Sequence, residues 1–185
     1  MIEGKIVEEW EHEGQRMVIR HFRWRDLDQF VDMQNVLHGE QVMANHQETD
    51  RPRGAEMLSR KLVREESGRH SELLVEADGR IVGCGDIAPH SGYQTCCLGI
   101  TLIGEYTGRG IGKRFMSVLE GEADRLGYAR IMLTVWGVND PAYRLYVKTG
   151  FREIGRFPDW IRTDRSPSRF SDLVWMVKDL HPLTP

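Results

Sequence analysis

The segment Thr107-Gly108-Arg109-Gly110-Ile111-Gly112-Lys113 combines small residues with cations at the predicted start of a helix. Glycines there let backbone N–H groups approach an anion, and a helix N-terminus adds a partial positive charge. Lys113 and Arg114 fall in the first turn, whereas Glu120, Glu122 and Asp124 come later, opposite to the arrangement a helix dipole prefers. An anionic ligand at the N-terminus would account for that inversion; a tight strand-to-helix turn with solubilising cations is the plainer alternative. Two phosphate fingerprints are excluded. A P-loop needs Gly where Thr107 stands and Ser or Thr where Arg114 stands, and a dinucleotide G-x-G-x-x-G needs its last glycine at Lys113 or Phe115.

The elements around this segment follow from periodicity. Thr95 to Ile103 is a β-branched, apolar run that predicts a central strand leading into the glycines. From Ile111 the residues Phe115, Val118, Leu119, Ala123 and Leu126 share one helical face, and Gly127 stands at the C-terminal cap. Upstream, Met17 to Phe22 reads as a strand, Asp26 opens a helix through Leu37, and Gln41 to Gly54 reads as a loop or broken helix before a second helix, Ala55 to Glu66. Leu73 to Ala77 and Arg80 to Ile87 are joined by Asp78-Gly79, a dipeptide suited to a type I′ hairpin turn. Downstream come a strand, Arg130 to Trp136, a short helix, Pro141 to Thr149, and two last strands, Phe151 to Phe157 and Leu173 to Val177, around a polar loop.

The chain has 185 residues, which suits a single domain, 1–185, and its 40% hydrophobic and 29% charged residues are those of a globular protein. A net charge of -3 argues against a general nucleic-acid or anionic-membrane surface. Met1 to Gln15 lacks the apolar core of a signal peptide, and no apolar run approaches the ~20 residues that span a bilayer, so a cytoplasmic protein is expected. Cys84, Cys96 and Cys97 have no metal or redox spacing and read as free buried thiols; the scattered histidines lead to no expected metal.

These residues resemble the GNAT superfamily of acetyltransferases, whose Q/R-x-x-G-x-G/A motif follows a central strand; here it is Thr107-Gly108-Arg109-Gly110-Ile111-Gly112. A second stretch, Asn139-x-x-Ala142-x-x-Leu145-Tyr146-x-Lys148-x-Gly150-Phe151, is similar to the family's N-x-x-A-x-x-L-Y-x-K-x-G-F segment, and the likeness extends from about Met17 to Leu180. It implies an α/β (α+β) fold with a mixed, mostly antiparallel sheet of six to seven strands flanked by helices, and acetyl-CoA as co-substrate.

By the same resemblance, acetyl-CoA would be held by Gly108, Arg109, Gly110, Ile111, Gly112 and Lys113, by main-chain groups of Ile100, Thr101 and Leu102, and by Asn139 and Lys148. Tyr146 would be the general acid for the leaving thiolate. Two departures stand out: Thr107 replaces the usual Gln or Arg, and Gln94 to Ile103 lacks the carboxylate that serves several members as base. Glu105, Asp86 and His90 are alternative bases, Glu105 being the one assigned.

The implied activity is acetyl transfer to a primary amine, which could be a protein N-terminus, a lysine, a polyamine or a small molecule, by direct attack. A non-catalytic acyl-CoA-binding sensor is the alternative class. The expected partner is that amine, with no nucleic acid or membrane, and a homodimer is left open. Trp160, read as part of an aromatic loop, and Gln41 to Gly54 are expected to shape the acceptor pocket.

Overall fold

In a computed structural model of the chain, residues 2–40, 47–90, 94–162 and 170–182 are described. The elements in chain order are β1 (Ile6–His12), β2 (Gln15–His21), α1 (Leu27–Gly39), α2 (Arg51–Glu66), β3 (Ser71–Ala77), β4 (Arg80–Pro89), β5 (Thr95–Leu102), α3 (Ile111–Arg125), β6 (Arg130–Trp136), α4 (Asp140–Lys148), β7 (Arg152–Arg162) and β8 (Phe170–Asp179). One eight-stranded sheet has the order β1-β2-β3-β4-β5-β6-β8-β7. Its neighbours are antiparallel except β5 and β6, which run parallel.

The eighth strand corrects the expected six to seven. β1 falls within the polar start of the chain and exposes most of its residues, so it carries little apolar alternation to announce it. It is joined to β2 by Glu13 and Gly14, both at positive φ (50° and 78°), the same turn chemistry as Asp78-Gly79. α2 begins at Arg51, four residues before the expected Ala55, because the Asp50 carboxylate accepts from the Arg53 N–H at 2.8 Å and Pro52 is tolerated in a first turn. Residues 163–169 of the polar loop before β8, and residues 41–46 of the Gln41 to Gly54 stretch, lie outside the described residues.

The helices cover opposite faces of the sheet. Glu72 of β3 meets Lys61 of α2, whereas its neighbour Ser71 donates to Glu122 of α3 at 2.8 Å, as alternation along a strand requires. α3 buries Ile111, Phe115, Met116, Leu119 and Ala123, its larger side chains each contributing roughly 1.5–3 kcal/mol. On the other face α1 buries Leu27, Phe30, Met33 and Leu37. Arg20 ties β2 to the start of α1 through a buried two-point contact with Asp26, at 2.7 and 2.8 Å.

Candidate active site

β5 and β6 pair only at Thr95 with Arg130, Cys96 with Ile131 and Cys97 with Met132. Beyond these, Leu133 to Trp136 pair with β8, while β5 continues along β4 as far as Leu102. A wedge therefore opens between the two parallel strands. Asp86 is opposite Gly99, Ile103 N–H donates to Val82 and His90 N–H to Thr95, so odd-numbered residues of β5 exchange main-chain hydrogen bonds with β4. The Leu98 N–H completes the last parallel pair by donating to Met132, so the Leu98 C=O and the N–H and C=O groups of Ile100 and Leu102 face the wedge. Thr101, expected to contribute a main-chain group, has its amide turned toward β4 instead, and of Leu98 only the carbonyl joins the open edge. Unpaired strand groups of this kind require water or a ligand.

At the open end of the wedge, Gly104–Tyr106 forms a 3-10 turn closed by the Thr107 hydroxyl, which donates to Gly104 C=O at 2.8 Å. Gly108 and Gly110 adopt φ of 72° and 84°, and a Cβ on either would meet nothing within 4 Å. Gly110 is the N-cap of α3, which has no side-chain cap and no acidic residue in its first turn. Its N–H groups therefore face open space with the positive end of the helix dipole behind them.

The charges here are shared with the N-terminal hairpin. Arg109 Nε donates to Glu13 at 2.9 Å and its guanidinium lies 5.4 Å from the Tyr106 ring centre; Arg114 donates to Glu8 at 2.6 Å and stacks 4.5 Å over Trp10. Lys113 is exposed and has no ion-pair partner among the described residues. The later acids of α3 have partners of their own: Glu120 with Lys178, Glu122 with Arg125, and Asp124 in a hydrogen bond with His181. Local pairing thus explains much of the charge inversion, leaving the uncapped N-terminus and Lys113 as the features suited to an anion.

α4 borders the same wedge, since a Cβ on Gly112 would lie 3.5 Å from Leu102 of β5 and 3.6 Å from Leu145 of α4. Tyr146 is buried at 7% exposure, its ring 5.9 Å from that of Phe151, and burial pushes its phenol up to about 12. Asn139 is the N-cap of α4, accepting from Ala142 N–H at 3.3 Å, and Lys148 is exposed in the last turn. The helix of 9 residues holds these two roughly 13 Å apart, so they do not converge on one group.

Glu105 is exposed in the turn after β5 and paired with Arg80 at 3.4 Å. It stands well past Leu98, where the wedge opens, because Leu98 to Leu102 alone spans roughly 13 Å of strand. Of the cysteines, Cys96 is fully buried, while Cys84 and Cys97 are partly accessible. Burial pushes the thiols up, Cys96 to about 12 and Cys84 to about 11, so none is a ready nucleophile. Trp160 lies within β7 and not in a loop; it is 63% exposed and rests on Phe157. Among the described residues no three His, Cys, Asp or Glu side chains converge as metal ligands do, and no helix is long and apolar enough to cross a membrane.

A mixed sheet whose parallel central strands part ahead of a glycine-led, uncapped helix defines the class of fold, an open strand edge leading to a helix start suited to an anion. The profile of the acetyltransferase (GNAT) family matches residues 10–151, and the chain belongs to that family, whose co-substrate is acetyl-CoA. Similar solved structures include the ribosomal-protein-S5-alanine acetyltransferase of Vibrio fischeri (TM-score 0.77, 16% identity, 96% of this chain and 100% of that one). The protein yncA of Salmonella typhimurium, solved with its cofactor acetyl-CoA, superposes with a TM-score of 0.76 at 22% identity over 91% of this chain and 96% of that one. RimJ of Mycobacterium smegmatis in complex with CoA-disulfide gives 0.74 at 18%, over 96% and 88%. At these identities the likeness is one of fold. No curated protein matches the sequence.

Proposed function

We propose that the chain is a cytoplasmic, single-domain N-acetyltransferase that carries an acetyl group from acetyl-CoA to a primary amine. The observation behind this reading is the free edge of β5, Leu98, Ile100 and Leu102, continuing into the uncapped start of α3. The N–H groups of Gly108 to Gly112 and the Lys113 ammonium hold the pyrophosphate, and the β5 edge binds the amide-bearing arm as an added strand would. Acetyl-CoA supplies the activated acyl group; the protein's own residues orient it and move protons.

In this reading the N–H of Ile100 donates to the thioester oxygen as negative charge develops there. Tyr146, kept protonated by burial, gives its hydroxyl proton to the departing sulfur. Asn139 shapes α4 by capping it, and so helps position Tyr146 without touching the ligand.

The test is release of free thiol from acetyl-CoA with a panel of amines, namely an alanine-initiated peptide, Nα-acetyl-lysine amide and spermidine, alongside thermal unfolding with and without acetyl-CoA. Turnover with any amine supports the reading. A stabilising shift without turnover supports the acyl-CoA-binding sensor instead, and an unmoved melting temperature at millimolar acetyl-CoA removes both.

A further inference from the structure

β5 carries no carboxylate between Gln94 and Ile103, yet one lies against it. Asp86 on β4 is opposite Glu72 on β3 and Gly99 on β5, so the three share the sheet face away from α3. Gly99 has no side chain, and the Asp86 carboxylate takes up that space: a Cβ on Gly99 would lie 2.6 Å from Asp86 Oδ1. Gly99 is two residues past Cys97, the last residue of β5 paired with β6, so this oxygen stands over the strand just where the wedge has opened. Cys84, Asp86, Ala88, Cys97 and Gly99 are all partly accessible, and no described residue donates a hydrogen bond to Asp86.

The groups around it form a charged floor. From α2, Lys61 donates to Glu72 at 2.6 Å and Arg64 lies 3.8 Å from the other oxygen of that carboxylate. Burial opposes the Lys61 charge, but Cys84, Glu72 and Asp86 raise its pKa on balance, so the ammonium persists and balances Glu72. His70 before β3, Cys84 on β4 and Cys97 on β5 also feel Asp86. The side chains that α1 buries, Leu27, Phe30, Met33, Gln34 and Leu37, carry no charge.

We infer that Asp86 is the general base of the transfer: the carboxylate that β4 delivers into the space over Gly99 takes the proton of the acceptor amine at the mouth of the wedge, directly or through one water. The assignment rests on the acetyltransferase reading above. As the amine's lone pair forms the N–C bond to the acetyl carbon, the C–S bond breaks and its electron pair leaves on sulfur, which takes the Tyr146 proton. Asp86 holds the proton lost by nitrogen and passes it to water; the tyrosine is reprotonated from solvent. The products are the amide and the free thiol. Gly99 has a role of its own, because any side chain there would displace the carboxylate.

Two substitutions separate this from a structural role. Asp86→Asn keeps size and removes the base; Gly99→Ala keeps the carboxylate but puts a methyl where it rests. Acetyl transfer to the three amines should fall by about 10²- to 10⁴-fold in Asp86→Asn, less in Gly99→Ala, with the loss shrinking as pH rises and the amine arrives already neutral. An unaltered thermal shift with acetyl-CoA shows that both variants are folded and bind. A readout independent of turnover is alkylation of Cys97 by iodoacetamide, mapped by mass spectrometry. It should be several-fold faster in Asp86→Asn, because a neighbouring negative charge has been removed from the thiol. Wild-type transfer with unchanged rate and pH profile in both variants overturns the base alone. Unchanged Cys97 alkylation overturns the placement of the carboxylate. Failure of the wild type to acetylate any of the amines overturns the acetyltransferase reading, and the base with it, while the alkylation result still reports where Asp86 lies.

Discussion

The Tyr146 ring packs at 56° against Phe151, with centroids 5.9 Å apart, so the aromatic body of Tyr146 and its hydroxyl can be tested separately. Tyr146→Phe retains the ring contact and removes the proton. Single-turnover acetyl transfer should slow by about 10²- to 10⁴-fold while acetyl-CoA affinity stays near that of the wild type. Because burial holds the phenol near 12, the wild-type rate should show no loss of this acid through the neutral range. A full-speed Tyr146→Phe enzyme assigns the proton to water.

Gly110 caps α3 at φ 84° beside open space. Gly110→Asp strains the backbone and sets a negative charge where the helix N-terminus would receive phosphate, so acetyl-CoA binding by calorimetry should weaken strongly. Gly121, on the same helix, also faces open space but has no positive φ. Gly121→Ala should leave binding unchanged and raise stability by about 0.5–1 kcal/mol through helix propensity. Equal affinity in folded Gly110→Asp and wild type would remove the phosphate site from this loop.

The N-terminal hairpin holds two of the loop's cations, Arg109 through Glu13 and Arg114 through Glu8. Neutralising both acids, Glu8→Gln with Glu13→Gln, should tighten acetyl-CoA binding roughly twofold to fivefold at low salt, with the gain fading as salt screens these exposed charges. Weaker binding in the double variant would mean that the hairpin's acids orient the arginines and do not compete with the ligand for them.

Glu122 links α3 to β3, and although burial pushes its carboxyl up, hydrogen bonds from Arg125 and Ser71 hold it below its ordinary 4.5. A carboxylate with a depressed folded pKa adds stability that is complete above the unfolded value and disappears as pH falls through the folded one. Thermal melts should therefore show wild type above Glu122→Gln by a constant margin, on the order of 1 kcal/mol, near neutral pH, with the curves converging below about pH 4.5. A margin that persists unchanged into acid would assign the effect to packing.

The elements with strong period and clear punctuation were legible in the sequence. α3 declares itself by Phe115, Leu119 and Ala123 on one face, the β3–β4 hairpin by Asp78-Gly79, and the ligand loop by Gly108 and Gly110. β1 did not, because an exposed edge strand buries too little to need alternating apolar residues, and β7 was read short for the same reason. What tertiary structure alone decided is the register. Side chains and amides alternate along a strand, so which of Ile100 and Thr101 offers its N–H to the wedge depends on how β5 meets β4, and slipping that pairing by one residue would exchange them. The same pairing lays Asp86 over Gly99, residues 13 positions apart in the chain, and the early end of β5–β6 pairing at Cys97 opens the space beside them. No local pattern encodes these relations, because they are set by contacts between strands whose separation in sequence carries no information about their alignment.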